Sequence, residues 1–369
     1  MFTALDSKWM AHALQLAERG LFTTTPNPRV GCVLVSDEKA VGEGWHQRTG
    51  EPHAEVYALR AAGEMARGAT AYVTLEPCSH HGRTPPCHEA LIEAGVARVV
   101  VAIQDPNPEV AGQGLAKLQA AGIEVGCGLM EAAARELNVG YFARRTRGTP
   151  WLRCKIAMSL DGRTALKNGT SKWISGQAAR QDVQHWRARS CAVLTGIGTV
   201  LADDPQLNVR HVATNRQPLR VVLDSQLRVP LAARILNPIQ NGDTSGQVRI
   251  YTATSDTRKI AEVEKTGAQV ITFTAANGKV DLNAVLHDLA NQGCNEISVE
   301  AGCVLTGALL QAGLVDEMII YLAPQLLGDM ARGMAQLGEL TSLDQRMDIE
   351  WQDVRQAGKD LRIVARVKK

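Results

Sequence analysis

The sequence predicts an α/β protein built as two domains. Three observations carry that prediction. At 369 residues the chain is long for one domain and comfortable for two. In both halves, short apolar runs alternate with helical patterns, the order that lays strands into a sheet covered by helices. Between the halves, NVGYFARRTRGTP (138–150) breaks the alternation with Arg144, Arg145 and Arg147 and ends at Thr149-Pro150, a linker-like junction. The expected domains are residues 1–147, a three-layer α/β sheet, and 148–369, an α/β domain with a strand-rich end.

Taken in order, MFTALDSKWMAHALQLAERG carries Asp6 and Glu18 and reads as an amphipathic helix over about 5–19, not a signal peptide. TPNPRVG leads into strand CVLVS, and Asp37-Glu38-Lys39 turns it back through AVGEGW as a hairpin. A helix starts near His53. Strand TAYVTLE carries Pro77 and Cys78 at its end, and helix HEALIEAG leads to strand ARVVVAI. After the DPNP loop come a helix (VAGQGLAKLQAAG), strand IEVGCG and helix LMEAAARELN. In the second half, strand LRCKIA turns at Asp161-Gly162 and TALKNGTSKWISG is loop-like. Helix QAARQDVQHWRARS precedes strand CAVLTG, and GIGTVLADDPQLNVR reads as a long loop. LRVVLDS, RIYTATS and QVITFT are strands. Helix LNAVLHDLANQG, strand EISVE and the apolar helix of AGCVLTGALLQAGL follow, and VDEMIIYLAP, about 348–356 and LRIVARVK close the chain as strands.

The chemistry concentrates between His53 and Cys87. His53, Cys78 and Cys87 offer one nitrogen and two sulfurs, a set that suits zinc, and a catalytic zinc keeps three protein ligands and one open position. Glu55 is not needed as a ligand and can move a proton for a water made acidic by the metal. H-x-E followed by P-C and a second cysteine is the pattern of zinc nucleobase deaminases, although here the cysteines lie nine positions apart, not three. Gly82, Pro85 and Pro86 shape that longer spacer, and Cys87 opens a helix, where a thiolate is favoured. The competing readings are a closed structural zinc site with His80, His81 or His88 as fourth ligand, and a Cys78–Cys87 disulfide. Asn27 reads as a turn residue between prolines and His46 as a strand-end residue. Arg83 is either a surface charge or a contact for an anionic substrate.

In the second half, Gly196 and Gly198 follow a strand, but Leu201 stands where a dinucleotide fingerprint needs its third glycine. Gly302 and Gly307 have the spacing of a phosphate loop, but Ala308 replaces its lysine. Such turns either pack tightly or bare backbone N–H groups for a cofactor diphosphate; two in one domain favour the cofactor. Lys155, Asp161, Arg187, Asp203, Arg210 and Glu300 read singly as surface residues in loops or at strand ends. A net charge of +2 gives no electrostatic case for nucleic acid, and no apolar run reaches the length of a membrane span. The junction arginines read as a solvated linker in preference to an RNA-binding tail. Eight cysteines without a disulfide-framework spacing point to a reducing cytoplasm, with Cys32, Cys127, Cys154, Cys191, Cys294 and Cys303 as small core residues.

The motifs TPNPRVGCVLV, GEGWHQRTGEPHAE, TLEPCSHHGRTPPC, DPNP, KIAMSLDGRTA, WISG, TGIGTVLADDPQLNVR, VVLDS and VEAGCVLTGALL span both halves. On them the chain closely resembles the bifunctional riboflavin-biosynthesis family, a pyrimidine deaminase fused to a uracil reductase. The resemblance implies a cytidine-deaminase-like first domain, a dihydrofolate-reductase-like second domain, one zinc and NADPH. It implies zinc ligation by His53, Cys78 and Cys87, a proton shuttle at Glu55, and contacts to a phosphorylated pyrimidine from Asn27, His46, His80 and Arg83, where the family often has lysine. For NADPH it implies Ala157, Trp173, Thr199, Asp203, Ser225 and the turn Gly302, Cys303, Val304, Leu305, Thr306, Gly307 and Ala308. For the second substrate it implies Lys155, Ser171, Arg187, Leu207, Arg210 and Glu300. Family members form homo-oligomers, a dimer being the favoured expectation here. The rival readings are an RNA deaminase with a binding module and a zinc-stapled scaffold.

Overall fold

The structure, a computed structural model, describes residues 1–79, 86–108, 111–214, 216–237 and 246–368. The chain divides into two compact units, Met1–Gly148 and Thr149–Lys369.

The first unit runs α1 (Ala4–Glu18), β1 (Gly31–Ser36), β2 (Lys39–Trp45), α2 (Ala54–Ala62), β3 (Thr70–Val73), α3 (Cys87–Glu93), β4 (Arg98–Val101), α4 (Gln113–Ala120), β5 (Glu124–Cys127), α5 (Glu131–Leu137) and α6 (Val139–Arg147). Its five strands order as β2-β1-β3-β4-β5. β1 is antiparallel to both neighbours, and β3, β4 and β5 are parallel, as strand–helix–strand crossovers require. The core is aliphatic: Met10, Leu34, Val73, Leu91, Val100 and Leu118 are buried in it. The helix over α1 starts with a capping box between Thr3 and Asp6. Asp6 also accepts from Tyr72 Oη at 2.8 Å and from Arg98 at 2.7 Å, tying α1 to β3 and β4.

Three expectations need correction here. Residues 139–147 are not a linker but α6, with Val139, Tyr141, Phe142 and Ala143 buried. The arginines that make the stretch look solvated lie beyond this buried run, and Arg145 folds back over the Tyr141 ring. Cys127 is exposed on the edge strand β5, and Cys303 is only half-buried, so neither is a core residue. Strand β3 stops at Val73, so Cys78 sits in an irregular segment beyond it.

The second unit contains β6 (Trp151–Ser159), β7 (Arg163–Ala165), α7 (Gln177–Arg189), β8 (Ala192–Gly196), α8 (Ile197–Asp203), β9 (Leu219–Leu223), β10 (Val248–Thr252), α9 (Thr257–Glu264), β11 (Gln269–Thr272), α10 (Leu282–Asn291), β12 (Glu296–Val299), α11 (Cys303–Gln311), β13 (Glu317–Ala323), β14 (Arg332–Gly333), β15 (Ile349–Ala357) and β16 (Asp360–Val367). Nine of the strands form one sheet, β11-β10-β9-β8-β12-β6-β13-β16-β15, parallel except for the closing pairs β13–β16 and β16–β15. Residues 197–203, expected as loop, open as the helix α8. The helix α9, capped by Asp256, lies between strands where the sequence reading placed no element. Thr164 and Ala165, at the start of the stretch expected to be loop-like, belong to the short strand β7, which pairs with β14.

Beneath this sheet lies a charged knot. Arg153, on β6, is fully buried and bonds both Glu296 on β12 and Glu317 on β13, while Arg189 reaches Glu296 at 2.7 Å. Removing one member of such a cluster leaves its partners charged in a dry interior. Arg153→Met is expected to destabilise the second unit by roughly 3–5 kcal/mol, read as a lower urea midpoint of its transition in the full chain; an unmoved midpoint would refute this role.

Candidate functional site

Helix α2 can lie against β2 because Gly42 and Gly44 have no side chains. A Cβ at Gly44 would stand 2.3 Å from the Ala54 carbonyl, and one at Gly42 2.2 Å from that of Ala58. This contact sets the start of α2. His53 is its N-cap residue, and Glu55, in the first turn, is buried. From the other side come Cys78 and Cys87, the latter opening α3. His53 Nδ1 lies 3.2 Å from Cys87 Sγ and 3.6 Å from Cys78 Sγ, and the three donor atoms fall within 4.8 Å of one another.

The donors are poised as a soft ligand set. A hydrogen bond from the Cys87 thiol, helped by the Cys87 N–H at 3.2 Å and by His53, pulls the Cys78 thiol down to about 4 despite burial. Its bond to Cys78, together with burial, pushes Cys87 up, so the pair holds one proton that a cation taking both sulfurs would release. Burial pushes the Glu55 carboxyl up to about 7. Glu55 Oε2 is buried without a hydrogen-bond partner among the described residues. An N,S,S triad beside an unsatisfied carboxylate oxygen fits zinc together with a water. The closed-site reading loses support at His88, whose Nδ1 lies 3.1 Å from the Cys78 carbonyl; among the described residues the cluster has three members. Both cysteines are free thiols. His80, His81 and Arg83 lie outside the described residues.

Asn27 and His46, plain turn and strand-end residues on composition, are joined here. His46 Nδ1 faces the Pro52 carbonyl at 3.1 Å and so carries the proton, leaving Nε2 to accept from the Asn27 amide at 3.1 Å. The His46 ring stands edge-on to His53, with centroids 5.4 Å apart. Asn138 was missed by the sequence reading. It is buried at the start of α6, accepts from Arg29 N–H at 2.8 Å and donates to the Arg29 carbonyl at 2.9 Å. It thereby holds the segment that carries Asn27. A lone asparagine in an arginine-rich stretch gives no signal of this.

In the second unit a cleft of roughly 1640 Å³ opens at the strand ends. Ala157, Trp173, Thr199, Asp203 and Ser225 line it, as do Gly302, Cys303, Val304, Leu305 and Ala308 at the start of α11. Thr306 and Gly307 do not. Thr306 is buried, and a Cβ on Gly307 would meet the Gln336 carbonyl at 2.1 Å, so this glycine serves close packing and not a phosphate loop. Lys155, Ser171, Arg187, Leu207, Arg210 and Glu300 line the same cleft. Ser171 Oγ reaches Asp203 at 3.4 Å, and Ser225 Oγ accepts from Val280 N–H at 3.2 Å.

Arg187 and Glu300 are not the surface residues expected. Arg187 lies in the last turn of α7, and its Nε and Nη2 bond the two Glu300 oxygens at 2.5 and 2.9 Å, a bidentate pair in a buried setting. Burial alone would raise the Glu300 carboxyl, but Arg187, with Lys155 and Arg210 nearby, holds it down at about 2. Burial in turn pushes the Lys155 ammonium down from its usual range.

Residues 3–103 match the family model of the cytidine and deoxycytidylate deaminase zinc-binding region, and residues 150–363 that of the RibD C-terminal domain. The chain is 51% identical over 368 residues to riboflavin biosynthesis protein RibD of Escherichia coli strain K12, across 96% of this chain and 98% of that one. It is 40% identical over 361 residues to RibD of Aquifex aeolicus, across 98% of each. Among solved structures, Acinetobacter baumannii RibD superposes with a TM-score of 0.90 at 48% identity over 99% of both chains. A Thermotoga maritima diaminohydroxyphosphoribosylaminopyrimidine deaminase/5-amino-6-(5-phosphoribosylamino)uracil reductase does so with 0.85 at 31%, again over 99% of both.

The Glu300 carboxyl is held at about 2 against an ordinary 4.5. Its contribution to stability is therefore present above the ordinary value and lost as pH falls through the folded one. Glu300→Gln is expected to flatten the fall in stability of the second unit between those two values, followed by urea midpoints measured across that range. An acid slope equal to that of the parent protein would show that the pair does not stabilise the fold.

Proposed function

The chain belongs to the RibD family of riboflavin-biosynthesis enzymes, and from that premise we propose which of its residues carry each reaction. It is a bifunctional enzyme: a zinc-dependent hydrolytic deaminase of a diaminohydroxy-phosphoribosylaminopyrimidine and an NADPH-dependent reductase that turns the ribosyl group into a ribityl chain. We assign the first reaction to residues 1–147 and the second to 148–369. The observation that carries the deaminase assignment is the N,S,S triad with Glu55 buried and uncoordinated beside it.

In the first unit, His53, Cys78 and Cys87 hold the metal. Bound zinc supplies Lewis acidity that makes water nucleophilic near neutral pH. Glu55 accepts at Oε2 the proton that water loses as its oxygen bonds the ring carbon, and returns it to the exocyclic amine, whose C–N bond breaks to release ammonia. The linked amides and imidazoles of Asn27 and His46 orient the pyrimidine, with His80 and Arg83 completing that contact. An arginine at 83 can grip a phosphate bidentately, where a lysine would act as a point charge.

In the second unit, Ala157, Trp173, Thr199, Asp203 and Ser225 hold the cofactor. The N–H groups at Gly302 to Leu305, with Ala308 on the next turn, would meet its diphosphate. Thr306 and Gly307 serve by packing α11. NADPH supplies the reducing equivalent. Arg210 meets the substrate phosphate, and Arg187, tied to Glu300, holds that carboxylate in place. Ser171 and Leu207 frame the ribose, and Lys155 stands by the reacting sugar carbon, where a depressed ammonium gives up a proton readily.

We further propose that the enzyme works as a homodimer in the cytoplasm. Strand β15 is an edge strand whose Trp351 and Val354 are 58% and 56% exposed, beside Ile349 and Leu361. An open apolar edge of this kind is a pairing surface. Eight free cysteines, two of them metal ligands, suit a reducing compartment. No helix among the described residues is long and apolar enough to cross a membrane.

Glu55→Gln is expected to retain zinc and lose ammonia release, while NADPH oxidation on pre-deaminated substrate continues; persistent deamination would remove Glu55 from its role. Trp351→Glu is expected to halve the mass measured by light scattering, and a parental mass in this variant would place the contact elsewhere.

A further inference from the structure

The residue before Pro77-Cys78 is a buried glutamate that neither reaction uses. Glu76 accepts four backbone hydrogen bonds, all from outside the ligand segments. Its Oε2 takes the N–H groups of Asp105 at 3.1 Å and Gly112 at 3.0 Å. Its Oε1 takes those of Gly114 at 2.9 Å and Leu115 at 3.4 Å. The last two are the unpaired donors in the first turn of α4, which a carboxylate satisfies well. Helix capping accounts for the carboxylate but not for the rest of the contact. Gly114 lies so close to the ligand segment that a Cβ there would stand 2.2 Å from the Pro77 carbonyl. One turn on, Lys117 Nζ donates to the Ser79 carbonyl at 3.1 Å. Thus α4 grips the residues immediately before and after Cys78. The neighbouring helix α3 holds Cys78 itself: Cys87 N–H donates to its sulfur at 3.2 Å, and His88 Nδ1 and N–H reach its carbonyl at 3.1 and 3.4 Å. Cys78 lies beyond the end of β3, and the last backbone bond from the sheet to this segment is that of Glu76 N–H to the Ile103 carbonyl at 3.0 Å, two residues earlier. Its backbone is set by these two helices.

We propose that Glu76 is a positioning residue of the deaminase centre: with Gly114 and Lys117 it clamps the Cys78 backbone to α4 and so sets where that sulfur stands relative to Glu55. The inference rests on the zinc assignment above. Glu76→Gln turns one acceptor oxygen into a donor facing backbone N–H groups, so at least one pair of bonds is lost. The segment can then drift, while the ligands themselves remain.

The test uses the full chain loaded with cobalt(II) in place of zinc, where thiolate-to-cobalt absorption bands report the sulfur geometry. Glu76→Gln is expected to shift or weaken those bands. Loss of such an outer support typically costs on the order of ten-fold or more in activity, expected here in kcat for ammonia release with KM little changed. Reduction of pre-deaminated substrate should be untouched, which reports an intact second unit. Glu76→Asp should recover part of both signals. Lys117→Met, a change at an exposed residue, should move them in the same direction by a smaller factor. A merely structural cap would lower the melting temperature and leave the bands and kcat alone; that result in both Glu76→Gln and Lys117→Met overturns the proposal. Should Glu76→Gln fail to fold, Lys117→Met decides by the same two outcomes. A parent protein that binds no cobalt through thiolates would instead sink the zinc assignment.

Discussion

The deaminase centre depends on a backbone contact too close for any side chain. Because Gly42 and Gly44 let α2 press onto β2, His53 and Glu55 arrive at the end of the sheet where β3 and α3 deliver two sulfurs. The His53 and Cys87 donors are separated by 34 residues of chain, yet lie 3.2 Å apart. Once they meet, the rest of the local chemistry follows from burial. The two thiols share one proton, and a buried carboxyl with one oxygen unpartnered resists losing its own.

The second unit handles buried charge differently. Arg153 with Glu296 and Glu317, and Arg187 with Glu300, are paired tightly inside the fold. The first group sits near the starts of β6, β12 and β13, within a few residues of Lys155 and Glu300 in sequence but outside the cleft lining, and serves the fold. The second lines the cleft, where Lys155 stands beside it. A carboxylate held by arginine stays charged at any physiological pH, so the cleft keeps a fixed polarity while its ligands change. Tight pairing also takes Arg187 out of the set of cations that a phosphate would draw on.

Much of the architecture was legible because short continuous apolar runs, such as those of β1, β8 and β10, mark the strands of both halves and helical patterns fall between them. What failed did so for identifiable reasons. Three arginines masked the buried run from Val139 to Ala143. Helix α9 has Val263 as its buried residue, too little apolar signal to register. The spacing of Gly302 and Gly307 resembled a phosphate loop, but spacing in sequence does not tell which side of a helix a residue occupies: Gly302 opens onto the cleft and Gly307 faces the backbone of Gln336. Asn27 and His46 carried no local signal, since each matters through its hydrogen bond to the other.

The sequence by itself determined the donor types, the uncoordinated carboxylate, the two-domain α/β order and the chemistry that follows, because these depend on which side chains exist and how they are spaced along one or two elements. Only the tertiary structure decided which charges are paired and which stand open. Arg187 meets Glu300 across 113 residues, and Glu76 meets backbone donors 29 to 39 residues away. The physical reason is that a buried polar group must find a partner wherever the strand order brings one, and strand order is a property of the whole sheet, not of any stretch within it.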